Sequence, residues 1–414
     1  MLQAVSTVCI AHAEGCPRAE VDTAQLFGYF DANGWSISST LETADLVVVS
    51  ACAFDANSES RGFGMLEAAD RKRRAGSQMV VVGCIAGISR ERLEQTFDAI
   101  VIPPSDMSRL DEVIAGTVSI RDTPDPNDIR PRIERASACF SYADRPVGDA
   151  AKLLARSVLA RTGLRNWMAK HGRIISDTYA PPDRNLYSVR VARGCLNECA
   201  YCAIRIASGP LISKPLDKVL DEFDAGLDTG HKTFSLLAQD LGAYGQDEGT
   251  DVACLLRHVF ERDGDYKIKM DDFNVRWLVR YADELIPLLA NNAARVDHLS
   301  IPTQSGSDRV LGLMRRGNTS GEAKAALSRL RESAPGIDIS THVLMGFPGE
   351  ANEDFEQTLD MLRVARFDRI DAFGYSDRPG TAASSMPDHV EPSQIASRLR
   401  RVRSAFPGVV CVTK

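Results

Sequence analysis

Two series of alternating β-type and helical segments, divided by a Pro- and charge-rich stretch, predict an α/β chain built on two parallel sheets. The first series has the length of a flavodoxin-like sheet domain, and the second that of a partial (βα)6 barrel. At 414 residues the chain also exceeds what one hydrophobic core normally organises, which favours two domains.

In the first series (residues 1–103), Val5–Ile10, Trp35–Ser39, Leu46–Ser50, Met79–Gly83 and Ala99–Ile102 are short apolar runs that read as strands. Glu20–Ala32, stopped by Asn33-Gly34, and Asn57–Arg74 carry helical periodicity. Residues 104–183 change character. TPDPNDIRPR reads as linker, and Lys152, Arg156, Arg161, Arg165, Lys170 and Arg173 stud a helical stretch whose simplest interpretation is a solvated basic face.

In the second series (residues 184–385) the strands are Leu186–Ala192, Thr233–Ala238, Asn274–Tyr281, Val296–Ile301, Asp338–Met345 and Arg369–Tyr375. Helices at Pro215–Asp228, Asp251–Phe260, Asp283–Asn291, Gly321–Glu332 and Asn352–Ala365 separate them. Residues 386–414 read as a helix, Gln394–Ser404, and a short tail. Barrel chemistry belongs at the C-terminal ends of the strands, so those loops are where reactive groups are sought.

Composition narrows the class. The chain is 44% hydrophobic and 25% charged, and no run approaches the ~18 apolar residues of a membrane span. The opening MLQAVSTVCIAHAEGC lacks the basic start and cleavage site of a secretory signal, so a cytoplasmic enzyme with no membrane segment is expected. A net charge of −7 argues against a surface that grips long nucleic acid, although a local basic patch is compatible with it. Ten cysteines in a reducing compartment point to metal or redox chemistry rather than disulfides.

Cys195, Cys199 and Cys202, in RGCLNECAYC, put three thiols within eight residues just after the first barrel strand. Thiolates ligate iron–sulfur clusters, and three of them on a four-iron cube leave one iron open. An open iron can chelate the amino and carboxylate groups of S-adenosylmethionine (SAM), so the triad points to SAM cleavage and a 5′-deoxyadenosyl radical. A zinc ribbon, the structural alternative, prefers paired CxxC units. Tyr201 could pack near the adenine or belong to the core.

Cys16, Cys52 and Cys84 each follow a strand of the first domain. In a sheet of order 2-1-3-4-5 those strands are neighbours, and their C-terminal ends are where such sheets bind ligands. The three thiols are therefore expected to converge and hold a second [4Fe–4S] cluster; three separate packing cysteines are the alternative. Cys9, Cys139, Cys254 and Cys411 have no such register and read as packing or surface thiols.

On these motifs the chain resembles the radical SAM methylthiotransferases, most closely the branch that modifies an aspartate of a ribosomal protein. GCPRAEVDT, VVVSACAFDANSES and VVVGCIAG carry the likeness in the first domain. RGCLNECAYCAIRIASGPLISKP, LLAQDLGAYGQD, HLSIPTQSGSDRVLGLMRRG and VLMGFPGEANEDFEQTLDMLRVARFDRIDAFGYSDRPGT carry it in the barrel. The resemblance implies two [4Fe–4S] clusters and SAM as cofactors, with the Cys195 cluster making the radical and the Cys16 cluster supplying sulfur. It also implies an external one-electron reductant of flavodoxin or ferredoxin type. The SAM pocket would include Tyr201, Ala238, Gln239, Pro302, Gln304, Ser305, Gly346 and Phe347, and Arg276, on the third barrel strand, would pair with a carboxylate or phosphate.

Some features depart from the family pattern. Its Asn after the first cysteine is Ala19, its Asn-Thr before the second is Ser50-Ala51, and its Arg-Gly after the triad is Ser208-Gly209. The family's C-terminal β-barrel (TRAM-type) domain is not expected here, because the residues after Thr381 read as only a helix and tail. These departures, with the acidic balance, favour sulfur insertion into a small-molecule substrate, a nucleoside or nucleotide among them. Methylthiolation of tRNA or of a ribosomal protein is the alternative, and a non-catalytic Fe–S electron-transfer module is a third reading.

Overall fold

The computed structural model describes residues 6–12, 16–129, 132, 136 and 186–413. The basic stretch from Lys152 to Arg173 and Cys139 lie outside the described residues. The chain forms two compact units.

The first unit contains a five-stranded parallel sheet: β1 (Thr7–His12), β2 (Ser36–Ile37), β3 (Leu46–Ser50), β4 (Gln78–Val82) and β5 (Ile100–Val101), in the order β2-β1-β3-β4-β5. This is the 2-1-3-4-5 order expected of a flavodoxin-like domain. Its strands are near-continuous apolar runs because both faces are covered. Val8, Ile10, Val48 and Val80 join Leu26 and Phe30 of helix α1 (Pro17–Ala32) in one core. Cys9, Ala11, Val47, Val49 and Val81 join Phe63 and Leu66 of helix α2 (Ala56–Lys72) in the other. Pairing runs in strict register, with His12 opposite Ser50 and Ser50 opposite Val82, so β1, β3 and β4 end level with one another.

Residues Ala203–Gly209 and Arg378–Gly380 also belong to this unit. Ala207 packs so tightly on Gly87 that a Cβ at Gly87 would lie 2.5 Å from the Ala207 Cα. Arg378, 3% exposed, donates to Glu59 of α2 at 2.7 Å.

The second unit holds a seven-stranded sheet of β6 (Leu186–Arg190), β9 (Thr233–Leu237), β10 (Lys267–Met270), β11 (Val296–Ser300), β12 (Ile339–Met345), β13 (Arg369–Gly374) and β14 (Val410–Thr413). They are parallel and lie side by side in chain order, with β6 and β14 at the edges. A small antiparallel ribbon, β7 (Ala192–Arg193) with β8 (Ile212–Ser213), stands beside it. One face of the sheet is apolar: Val189, Phe234, Leu236, Ile268, Met270, Leu299, Val343 and Ile370 pack under the helices. Period-two alternation turns the row Ser188, Ser235, Lys269 and His298, paired strand to strand, to the opposite face, which is polar. A packed barrel core would place branched aliphatics there.

Two expectations are corrected. Asn274–Tyr281 is not the third strand; Val275–Arg280 is helical, with the Asn274 side chain accepting from the Arg276 N–H. The run VRWLVR is rich in strand formers, but it forms a short helix in which the buried Val275 and Leu278 share one face. The third strand is KIKM, whose lysines disguise an alternation that buries Ile268 and Met270. The C-terminal tail is likewise a strand, β14, paired along β13 after a helix at Pro392–Ala405.

His12 closes β1. It is 3% exposed, and its Nδ1 lies 2.9 Å from Thr23 Oγ1 and 3.3 Å from Ser50 Oγ. Burial pushes its pKa down from 6.5 to about 4. The folded protein therefore binds less proton than the unfolded chain between those values, and stability present above pH 6.5 is lost as the pH falls towards 4, by up to ~3 kcal/mol. Denaturant midpoints measured from pH 7 to pH 4.5 should fall less steeply in His12→Gln than in the parent protein; parallel slopes would count against this assignment.

Candidate functional site

Cys195, Cys199 and Cys202 occupy the loop after β6 and β7, in the second unit. The loop is pinned from both sides: the Ala200 N–H donates to the Met314 carbonyl at 3.0 Å, and the Ala383 N–H donates to the Ala200 carbonyl at 2.8 Å. Cys202 N–H donates to the Cys199 carbonyl at 3.0 Å, which folds the last two thiols into one turn. The three cysteines are half-buried, and Cys199 and Cys202 lie near enough to act on Cys195. Burial, the Asp240 carboxylate and the other two thiols push Cys195 up to about 12.

Asp240, 3% exposed, stands behind the triad. Its carboxylate accepts from Asn197 Nδ2, from Trp277 Nε1 at 2.8 Å and from the Asn274 N–H at 3.2 Å. Asn197 also directs Nδ2 towards Cys195 Sγ at 3.6 Å and accepts from Arg276 Nη1 at 2.9 Å. Arg276 thus donates to a neutral amide oxygen and lies over the Trp277 ring at 4.6 Å.

Arg316, 5% exposed, reaches the same loop. Nη1 lies 3.4 Å from Cys199 Sγ and 3.3 Å from Tyr201 OH; Nη2 donates to Asn274 Oδ1 at 3.0 Å and to the Pro302 carbonyl at 2.7 Å. Tyr201 is consequently oriented by its hydroxyl as well as packed against the small core of Ala200, Met314, Leu344 and Phe347.

The other expected SAM contacts lie at C-terminal strand ends, as barrel chemistry requires. Ala238 and Gln239 follow β9, Pro302–Ser305 follow β11, and Gly346 and Phe347 follow β12. Gln239 Oε1 is buried with no hydrogen-bond partner. Gln304 adopts φ +66°, a left-handed conformation costly for this residue, and is locked there by its N–H to the His342 carbonyl (2.8 Å) and its carbonyl to the Leu344 N–H (2.9 Å). Gly346 is at φ +80° against Ile395, a position closed to any Cβ. Ser305 differs from expectation: its hydroxyl lies 3.3 Å from Thr358 Oγ1 and accepts from the Ser307 N–H, so it faces a helix.

In the first unit Cys16 precedes α1 as its N-cap residue, Cys52 follows β3, and Cys84 opens a short helix, Cys84–Ile88, after β4. Level strand ends bring them together. Burial pushes the Cys84 thiol up, and Cys16 and Cys52 beside it push it further; Cys52 is raised by burial and by Cys16. Gly83, at φ +87°, lets the backbone pass against the Ala51 carbonyl. The Phe54 N–H lies 3.4 Å from Cys52 Sγ.

Both trios fit an iron–sulfur cluster in donor chemistry. Three half-buried thiols gathered in one place offer the thiolate ligands such a cluster takes, and bound cations favour the thiolate form. The unpartnered Gln239 oxygen fits a donor on a ligand seated at the strand ends. Sequence reasoning missed Asn197, Asp240 and Arg316, although each lies in or beside a quoted motif. It also missed the pairing of Glu59 in ANSES with Arg378 in SDRPG, 319 residues apart.

Comparison with known proteins places these features. Residues 189–362 match the Radical SAM superfamily, and residues 8–102 match the family described as Uncharacterized protein family UPF0004. A tRNA-2-methylthio-N(6)-dimethylallyladenosine synthase of Syntrophotalea carbinolica is 30% identical over 91% of this chain and 78% of its own length. Ribosomal protein uS12 methylthiotransferase RimO of Geotalea uraniireducens is 29% identical over 94% and 78%. Among solved structures, the radical SAM methyltransferase TsrM of Kitasatospora setae superposes with TM-score 0.58 at 14% identity, covering 92% of this chain and 77% of that one, a likeness of fold. The chain belongs to the radical SAM methylthiotransferase family of enzymes, whose cofactors are two [4Fe–4S] clusters and SAM.

Proposed function

We propose that this enzyme replaces a C–H bond of a macromolecular substrate by a methylthio group, the target being either a tRNA adenosine or ribosomal protein uS12. The observation that carries the reading is the pair of cysteine trios, each gathered at the C-terminal ends of parallel strands in its own unit. Relatives named for tRNA and for uS12 both align along nine-tenths of the chain, at 30% and 29% identity. That favours a macromolecule over the small molecule suggested by charge and tail, and leaves the two targets level.

In this reading Cys195, Cys199 and Cys202 hold the SAM-binding cluster, and Cys16, Cys52 and Cys84 hold the auxiliary one. When bound, these cofactors supply the 5′-deoxyadenosyl radical and the sulfur, the organic chemistry being theirs rather than the protein's. The chain's part is to bind, orient and shield. Gln239, Gln304, Gly346 and Phe347 line the strand ends for SAM. Asp240 fixes Asn197 and Trp277 behind the ligand loop. A one-electron donor of flavodoxin or ferredoxin type would reduce the cluster.

Anaerobically reconstituted protein should carry about eight irons per chain, and about four in either Cys16→Ala/Cys52→Ala/Cys84→Ala or Cys195→Ala/Cys199→Ala/Cys202→Ala. About four in the parent protein would defeat the two-cluster assignment. With SAM and dithionite, incubation with tRNA that carries N(6)-dimethylallyladenosine but no methylthio group, or with a uS12 peptide, should yield 5′-deoxyadenosine together with a methylthio adduct by mass spectrometry of the digested substrate. 5′-Deoxyadenosine with no adduct on either substrate would refute the proposed targets.

A further inference from the structure

Arg316 is a buried cation whose hydrogen bonds end on no carboxylate. Its four contacts are Asn274 Oδ1, the Pro302 carbonyl, Tyr201 OH and Cys199 Sγ, and its Nε is buried without a partner. Taking a guanidinium out of water costs several kcal/mol unless an anion answers it. Asp240 is near enough to act on it through space but does not touch it. Of the four atoms in contact, the one that carries full negative charge in a metal-loaded protein is the Cys199 sulfur.

We propose that Arg316 is the charge partner of the Cys195–Cys199–Cys202 cluster: through its N–H to Cys199 Sγ it sets the ease of one-electron reduction, while its other N–H groups hold Tyr201, Asn274 and the loop at Pro302 in register with that sulfur. The inference rests on the assignment of this triad to the SAM-binding cluster. Donors to cluster sulfurs, and positive charge beside them, stabilise the reduced form, which carries one more electron than the oxidised form. That electron comes from the external low-potential donor, and no bond to Arg316 is made or broken. A hydrogen bond from a charged donor is worth enough to shift the reduction equilibrium about tenfold, which for one electron is about 59 mV.

The test uses the full chain carrying Cys16→Ala/Cys52→Ala/Cys84→Ala, so that a single cluster remains, titrated with dithionite and mediators and followed by electron paramagnetic resonance. A parent with no iron and no reduced-cluster signal would defeat the triad assignment itself, separately from the role of Arg316. With the signal present, Arg316→Gln should be about tenfold harder to reduce at a given potential. Arg316→Lys, which keeps the charge without the fork, should fall between the two. Asn274→Ala leaves the guanidinium in place and removes one anchor; it should broaden the signal or move the midpoint by less than Arg316→Gln. An unmoved midpoint in an iron-replete Arg316→Gln protein overturns the proposal. So does loss of iron from both Arg316 variants while circular dichroism shows them folded, since that marks a purely structural role.

Discussion

Parallel strands that start and stop in register are the constraint on which the rest of this molecule depends. A parallel ladder directs every strand's C-terminal end to the same edge, and the crossover connections keep that edge free for loops. In the first unit the level ends of β1, β3 and β4 convert three cysteines far apart in sequence into neighbours. In the second, the ends of β6, β9, β11 and β12 deliver the cysteine loop, Gln239, Gln304 and Gly346 to a common rim. The first trio needs the sheet to bring distant cysteines together; the second is local in sequence and needs the sheet only to set its loop beside the other strand ends.

On that rim, polar groups are buried where an apolar core would be cheaper. Asp240 and Arg316 in one place, and Glu350 with Arg398 in another, are nearly inaccessible. Arg398 donates to Glu350 at 2.6 Å, and Glu350 accepts from the Gly346 N–H at 2.5 Å. Burying such pairs seldom adds stability, and burial pushes Glu350 up to about 7 in spite of its partner. Their value lies in position: one network fixes the ligand loop, and the other fastens the glycine turn after β12 to the C-terminal helix.

Much of this was legible in the sequence because it is written in local patterns. The flavodoxin-like order, five of the six barrel strands and both cysteine trios follow from apolar runs and from thiols placed just after them. What was not legible came from tertiary context. KIKM hides a strand behind two lysines on the side away from the apolar core, and VRWLVR hides a helix behind strand-forming residues. Arg276, placed by its sequence on a strand, sits instead on that helix and donates to the Asn197 amide oxygen. The role of Arg316 could not be read at all, because nothing in MRRG says which arginine turns inward; Arg315 takes a left-handed turn instead.

The salt link between Glu59 and Arg378 bears on how the chain is made. Sheet strands of the second unit are added in the order of synthesis, each beside its predecessor, so that sheet can grow as the polypeptide emerges. The first unit cannot finish this way. Its sheet is complete by Val101, but Ala203–Gly209 and Arg378–Gly380 complete its packing, and Glu59, already held by Ser89 and Arg92, gains its buried arginine partner only 319 residues downstream. The N-terminal sheet thus forms early and is sealed late, and a nascent chain halted before residue 378 would leave its α2 carboxylate without its buried arginine.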